Sequence, residues 1–284
     1  MVFSTKPRIR RSRASYRLLT AVGIMVLAVA SAAQEAAKSQ ADAAEPDAPI
    51  ANPGRPTVST PATLTPTGYF QFESGILGAW TSPGLSSQTS INEVIKFALS
   101  RRLELLVGNE PFARSHADGR LTNDTGGVSL GTQAMLYPGE GMKPTISASY
   151  FHTVYGGTAP DLDIGSSTNS LLLLASADIK KFHYDANLFF NEVVSDPVRR
   201  GQFGQSLSVS HPLTGKIGLS GEIWRFTQPF LHGNAIGNLW AVSYSASPHL
   251  VFDGGFDHGL TNTSTRWEAF SGFTYLLPHR VFRH

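Results

Sequence analysis

The sequence contains no cysteine, and this absence excludes both a disulfide framework and a thiolate metal site. Charged residues are also scarce, at 15% of the chain, compared with roughly 25% in an ordinary soluble domain. Gly, Ser, Thr and Asn fill the places that charges would take. Because 41% of the residues are still hydrophobic, the chain is too apolar on average to be disordered.

Long hydrophobic runs are missing as well. The apolar stretch near the N-terminus, Leu18 to Ala30, is about 13 residues long, and a membrane-spanning helix needs ~20. The rest of the chain is too often interrupted by polar residues for a helical membrane protein. Few charges without a long apolar run fit a wall that alternates between lipid and water, as in a transmembrane β-barrel.

The N-terminus has the three parts of a secretory signal peptide. Basic residues precede the apolar stretch, and the small residues Ser31, Ala32 and Ala33 follow it. A membrane anchor is the alternative, but the apolar stretch is too short to span a bilayer. We therefore predict that residues 1–33 are a signal peptide, cut after Ala32 or Ala33. The basic residues are Lys6, Arg8, Arg10, Arg11, Arg13 and Arg17.

Residues 34–66 are rich in Ala, Pro, Asp and Thr and show no periodicity. This composition predicts an extended, solvated periplasmic linker. The main domain is then residues 67–284.

From Thr67 onward the hydrophobic pattern has period two rather than a helical period. In residues 240–247, for example, Trp, Val, Tyr and Ala alternate with Ala and Ser. Such alternation predicts strands with one apolar and one polar face. About twelve segments qualify: 68–81, 91–99, 102–109, 126–137, 143–154, 170–179, 183–193, 201–211, 216–227, 238–247, 250–258 and 267–277.

The connections between these segments alternate between short and long. An up-and-down barrel requires this, because odd and even connections lie on opposite rims, whereas a soluble β-sandwich has no reason for it. We predict an all-β fold: an antiparallel up-and-down transmembrane β-barrel of about 12 strands in the cell outer membrane. The longer links are predicted at 82–90, 110–125, 155–169, 194–200, 228–237 and 259–266.

The polar face of the predicted strands carries few charges, as suits a hydrated lumen. A narrow lumen edged by carboxylates would favour cations. The alternative is that these groups pair with Lys96 and with one another across a filled interior. The predicted lumen-facing charged residues are Lys96, Glu104, Asp178, Asp185, Glu222 and Asp253.

Aromatic residues cluster near the predicted strand ends, where the girdles of a membrane barrel belong. Arg225 and Glu192 fall on the outward phase, and we place them at the outer rim, where a lipid-facing charge costs little. The predicted girdle residues are Trp80, Tyr137, Tyr155, Trp224, Trp267 and Tyr275.

The stretch Asn52–Glu73 has a Pro/Thr-rich lead into a Gly-aromatic first strand that ends in Glu. It resembles the leading segment of the outer-membrane transporter family associated with the meta-pathway of phenol degradation. Gly126–Thr132 is similar to that family's Gly-rich strand opening. The resemblance covers Arg55 to Phe282 and implies a barrel with a transport role, without binding residues to carry over.

Three functions are compatible with such a barrel. The first is a passive channel or uptake barrel for small molecules, apolar or aromatic ones among them. The second is a structural or adhesion barrel with a plugged lumen and no transport. The third is an outer-membrane lipid hydrolase, but its candidate base, His152, lies on the strand face opposite Ser147 and Ser149, so the pairing that a nucleophile needs fails. We therefore expect no enzymatic activity.

We expect neither a metal nor a cofactor. His249, His258, His279 and His284 lie on different strands and turns without ligand-like spacing. The expected partners are outer-membrane lipids, the barrel-assembly machinery and a small-molecule substrate, with no nucleic acid. The pattern leaves the substrate and the oligomeric state open.

Overall fold

The computed structural model describes residues 49–160, 162, 167–195 and 197–281. The predicted signal peptide, residues 1–33, and the first part of the predicted linker, residues 34–48, lie outside this range. Among the described residues no helix is long and apolar enough to cross a membrane.

The described chain forms one antiparallel sheet that closes on itself. Strand β1 pairs with both β2 and β13, and β2 also pairs with β3. The short β4 pairs only with the end of β3, so the ring contains the other twelve strands. This confirms the predicted fold. The strands are β1 Phe70–Ser82, β2 Leu85–Ser100, β3 Leu103–Ala117, β4 Arg120–Asp124, β5 Val128–Tyr137, β6 Thr145–Tyr155, β7 Ser167–Ile179, β8 Phe182–Ser195, β9 Val198–Pro212, β10 Ile217–Gln228, β11 Gly233–Ser247, β12 Leu250–Gly259 and β13 Trp267–Leu276.

Several predicted long loops are in fact strand. β1 and β2 are joined by Pro83 and Gly84 alone, and β8 and β9 by residues 196–197, so the predicted loops 82–90 and 194–200 are wrong. Gly84 adopts a φ of +81°, which a tight turn can require of glycine. In 85–90 only Leu85 is apolar, so this part of β2 lacks the hydrophobic alternation that marks strands within the membrane.

The two faces of the wall have the predicted polarity. Apolar side chains such as Ile223, Trp240, Val242 and Phe256 point outward and are about half exposed. Ser, Gln, Asn and carboxylate side chains point inward and are buried. A closed ring satisfies its backbone hydrogen bonds internally, and an apolar outer face is what a barrel needs in lipid.

The aromatic girdle is confirmed in all but one of its members. Trp80, Tyr137, Tyr155, Trp267 and Tyr275 are exposed on the outer surface. Trp224 was assigned wrongly: it is 4% exposed and points into the lumen. Its place in β10 explains this, because it shares the inward phase of Glu222, two residues before it, and of Phe226, two residues after it.

The prediction of a solvated linker is wrong for residues 51–66. Ser59 and Ala62 are 0% exposed and Thr65 is 3% exposed. Their hydrogen bonds go to wall residues that face the lumen. We call residues 51–66 the lumen segment.

Candidate functional site in the barrel lumen

The lumen segment folds back on itself within the barrel. Asn52 donates a side-chain hydrogen bond to the Thr63 carbonyl oxygen at 2.9 Å, so its beginning and end lie side by side. Ala51 donates its backbone N–H to Pro248, at the turn between β11 and β12. This turn lies on the rim where β1 begins and β13 ends. The segment therefore enters and leaves at the rim that carries the barrel termini, which is the periplasmic rim.

Glu222 of β10 holds the turn of the lumen segment. Its carboxylate accepts the backbone N–H groups of Val58 and Ser59, both at 2.7 Å, and the Ser59 hydroxyl at 2.5 Å. The Ser59 hydroxyl also lies 2.7 Å from that of Ser206 in β9. Glu222 is 5% exposed. Hydrogen bonds to a buried carboxylate are among the strong ones in proteins, so this contact fixes the segment firmly.

Arg55 and Asp253 form a second anchor. Nε and Nη2 of the guanidinium each lie 3.2 Å from one carboxylate oxygen, which is a bidentate pair. Two glycines make room for it: Gly75 of β1 and Gly272 of β13 face each other in register, and a Cβ on either would overlap the Arg55 guanidinium. The wall is therefore locally shaped around this arginine.

Lys96 and Glu73 form the third anchor. Lys96 Nζ lies 2.6 Å from Glu73 Oε1, and both side chains are buried. The same carboxylate accepts the backbone N–H of Gly54 at 2.9 Å and the Gln71 amide at 2.8 Å. Glu73 thus neutralises the predicted lumen-facing lysine and holds the lumen segment at the same time.

The returning arm is held by residues of β3 and β7. Glu104 accepts the Thr65 backbone N–H at 3.0 Å. Ser176 accepts the Ala62 backbone N–H at 2.7 Å and donates to Asp185 at 2.5 Å. Further wall contacts to the segment come from Gln133, Ser147 and Asn187.

Five of the six predicted lumen residues are therefore buried in the lumen: Lys96, Glu104, Asp185, Glu222 and Asp253. Asp178 keeps the inward phase but lies exposed at the end of β7, where its carboxylate is 2.7 Å from His183 Nδ1. The five buried groups bind the lumen segment, one another or their neighbours. In the periplasmic half of the barrel, this geometry corresponds to the paired groups of the filled-interior alternative rather than to a lumen edged by hydrated carboxylates.

Two important residues were missed by the sequence reasoning. Arg55 lies in a stretch without periodicity, so nothing in its surroundings marks it as a partner for Asp253. Glu73, by contrast, lies two residues after Gln71 on the inward phase of β1, and the same alternation that identified Glu222 would have placed it in the lumen.

An apolar cluster also lies inside the lumen, on β7 to β11. The Phe189 and Phe226 rings are 5.1 Å apart, and the Trp224 indole N–H donates to Asp257 at 2.5 Å. Gly204 and Gly237 leave the space for these rings, because a Cβ on Gly204 would overlap Phe226 and one on Gly237 would overlap Trp224. The cluster consists of Ala62, Leu172, Leu174, Phe189, Trp224, Phe226 and Ala235, with Val58 and Phe151 packed against it.

The structure separates the residues of the hydrolase alternative, as the alternation along β6 predicts. His152 is exposed on the outer face, where its Nδ1 lies 3.0 Å from the Asn169 side chain. Ser147 and Ser149 are buried on the lumen face, where they hydrogen-bond to Ala62 and Gln133. The His152 imidazole is therefore out of reach of both serine hydroxyls.

No protein-family model matches the chain. No curated protein matches it either. Among solved structures, the COG4313 outer membrane channel from Pseudomonas putida F1 is similar with a TM-score of 0.56 and 14% identity, over 78% of this chain and 99% of that one. The NanC porin is similar with a TM-score of 0.51 and 10% identity, over 72% of this chain and 100% of that one.

The chain is a closed antiparallel β-barrel of twelve strands. Its fold is that of these two barrels, and its outer face carries the apolar belt and aromatic girdle that a lipid environment requires. The fold agrees with the outer-membrane transporter resemblance drawn from the sequence. The association with phenol degradation stays a prediction.

Proposed function

We propose that the barrel is a narrow outer-membrane channel for small apolar or aromatic molecules, and that the lumen segment constricts its periplasmic half. The observation that carries this proposal is the apolar cluster inside the lumen. A buried wall of Trp224, Phe226 and Phe189 offers an apolar or aromatic solute a matching surface, which a pathway for ions alone does not need. If an apolar solute displaces the lumen segment from this cluster, the solute keeps the apolar surface of the cluster out of water. That burial contributes about 25 cal/mol for each Å².

The position of the lumen segment supports a constriction rather than a fully filled barrel. The wall residues that bind it lie within about six residues of the periplasmic strand ends, the furthest being Ser206 in β9, which ends at Pro212. The similar structures support the same class, since one is described as an outer membrane channel and the other as a porin.

The second candidate is a structural barrel that is permanently plugged. Its support is the number of carboxylates that hold the segment: Glu73, Glu104, Asp253 and Glu222. Hydrogen bonds to charged groups contribute about 1.5–3 kcal/mol each, so several of them strongly favour the closed state.

Ionic current in planar bilayers separates the two functions. The channel proposal predicts a small current that a small aromatic alcohol such as benzyl alcohol blocks and that a cyclic polyol of similar size does not. Phe226→Ser is expected to weaken the block roughly tenfold, because it removes a ring from the apolar wall. Phe256→Ser, on the outer face, serves as the matched control.

The outcomes that contradict the channel proposal are specific. If neither the wild type nor a variant with a weakened lumen segment carries current, the structural barrel is correct. If Phe226→Ser and Phe256→Ser change the block equally, benzyl alcohol acts through the bilayer and the apolar cluster is not part of the pathway.

A further inference from the structure

The outer wall of the barrel carries a groove of about 340 Å³ across β9, β10 and β11. The residues that line it are Gln205, Ser206, Leu207, Ile223, Trp224, Arg225 and Ile236. Ser206 and Trp224 are buried on the inward phase of their strands, so the other five residues present their side chains on the outer face. Leu207 and Ile223 are 44% and 54% exposed and point away from the lumen. The groove therefore opens toward lipid rather than toward the interior, and it is separate from the site described above.

The groove has an apolar and a polar end. Leu207 and Ile223 face each other in register across β9 and β10, and two residues further along, Gln205 faces Arg225. Ile236 of β11 faces Arg225 from the other side. Since β10 runs toward the outer rim and ends at Gln228, Arg225 and Gln205 form the outer end of the groove.

The described part of the protein gives the Arg225 guanidinium an acceptor for only some of its N–H donors. Its Nη2 donates to the Asn234 side-chain oxygen at 2.8 Å. Within the described part of the chain, the ion pairs involve other residues, and no carboxylate pairs with Arg225. A guanidinium has five N–H donors in a fixed fork that matches a phosphate, so this half-buried cation has donors left for an anion.

Other arginines lie on the same rim. Arg199 and Arg200 are exposed at the beginning of β9, and the Arg200 guanidinium lies 5.0 Å from the centre of the Phe230 ring. Arg199 differs from Arg225 in having a carboxylate partner, Glu192, at 3.3 Å. Arg199 and Arg200 lie several residues beyond Gln205 along β9, so the outer rim above the groove also carries arginines.

We propose that this groove binds one phosphate-bearing lipid from the outer leaflet. An acyl chain lies over Leu207, Ile223 and Ile236, and a phosphate group accepts hydrogen bonds from the Arg225 guanidinium. A second copy of the barrel fits less well, because its outer face would have to bring a carboxylate to Arg225, whereas the surrounding lipid supplies both the chain and the anion. The proposal does not depend on what passes through the lumen.

The test uses the full mature barrel in a mild detergent, with diphosphoryl lipid A as the probe and native mass spectrometry as the readout. The wild type is expected to retain one lipid. Arg225→Gln is expected to reduce the retained fraction roughly tenfold, because the charged donor pair is lost. Ile223→Trp fills the apolar end and is expected to have a similar effect. Arg199→Gln, whose arginine is already paired, is the matched control and retains the lipid.

Three outcomes overturn the proposal. If Arg225→Gln retains as much lipid as the wild type, the lipid phosphate does not bind Arg225. If Ile223→Trp still retains the lipid, the acyl chain does not lie in the groove. A wild-type dimer that Ile223→Trp dissociates shows that a second copy of the chain occupies the groove. Heat-modifiable migration of each variant on a gel confirms that the barrel is folded in every comparison.

Discussion

Ser59 donates both its backbone N–H and its hydroxyl to the same carboxylate oxygen of Glu222, at 2.7 and 2.5 Å. The two residues are 163 positions apart, one before the first strand and the other in β10. The contact therefore joins the segment that precedes the first strand to a strand late in the sequence. It couples the position of the lumen segment to the closure of the barrel.

Glu222→Gln should loosen the lumen segment. The amide keeps the shape of the side chain but loses the charge. Its NH₂ group donates and cannot accept, so only one of the two positions that now accept from Val58 and Ser59 keeps an acceptor. We expect a loss of about 1.5–3 kcal/mol in segment binding and a severalfold larger single-channel current. Glu140→Gln, an exposed residue between β5 and β6, is the control. An unchanged current in Glu222→Gln would show that Glu222 does not hold a constriction.

A disulfide between positions 59 and 206 should lock the lumen segment. The Ser59 and Ser206 hydroxyl oxygens are 2.7 Å apart, and the natural chain has no cysteine that could interfere. In the Ser59→Cys, Ser206→Cys variant we expect a lower current after oxidation and its recovery after reduction. Each single-cysteine variant should be insensitive to the oxidant. Equal current in the oxidised and reduced double variant would mean that passage does not require the segment to move.

The four tryptophans should divide by face when the barrel is reconstituted in brominated lipid. Trp80, Trp240 and Trp267 are about half exposed on the outer surface, whereas Trp224 is buried in the lumen. In variants that keep one tryptophan and replace the others by Phe, we expect strong quenching for the three outer residues and little for Trp224. Quenching of Trp224 to the same degree would show that its side chain faces lipid, and the register of β10 described above would then be wrong.

The N-terminus of the mature protein should be Ala33 or Gln34. The basic flank, the short apolar stretch and the small residues that follow it predict cleavage after Ala32 or Ala33. Intact-mass spectrometry of protein purified from outer membranes measures this directly. A mature protein that retains Met1 to Ala30 would show that the stretch is an anchor and not a signal peptide.

The alternation of side chains along each strand could be read from the sequence. In residues 240–244 successive side chains point to opposite faces, and this local property of an extended backbone fixes which face meets lipid. The same count places Glu104, Asp185, Glu222 and Asp253 inward, and applied strictly it also places Trp224 there. It failed at the outer rim, as in 85–90, because strands above the membrane need no apolar face.

The occupation of the lumen was decided by the tertiary structure alone. The segment from 51 to 66 is bound largely through backbone N–H groups, at Gly54, Val58, Ser59, Ala62 and Thr65. Every residue except proline has such a group, so these contacts leave no pattern of residue types in the sequence. Their acceptors come from β1, β3, β7 and β10, which become neighbours of one short segment only when the sheet closes. The sequence thus determined the two faces of the wall, and closure of the barrel determined what its inner face binds.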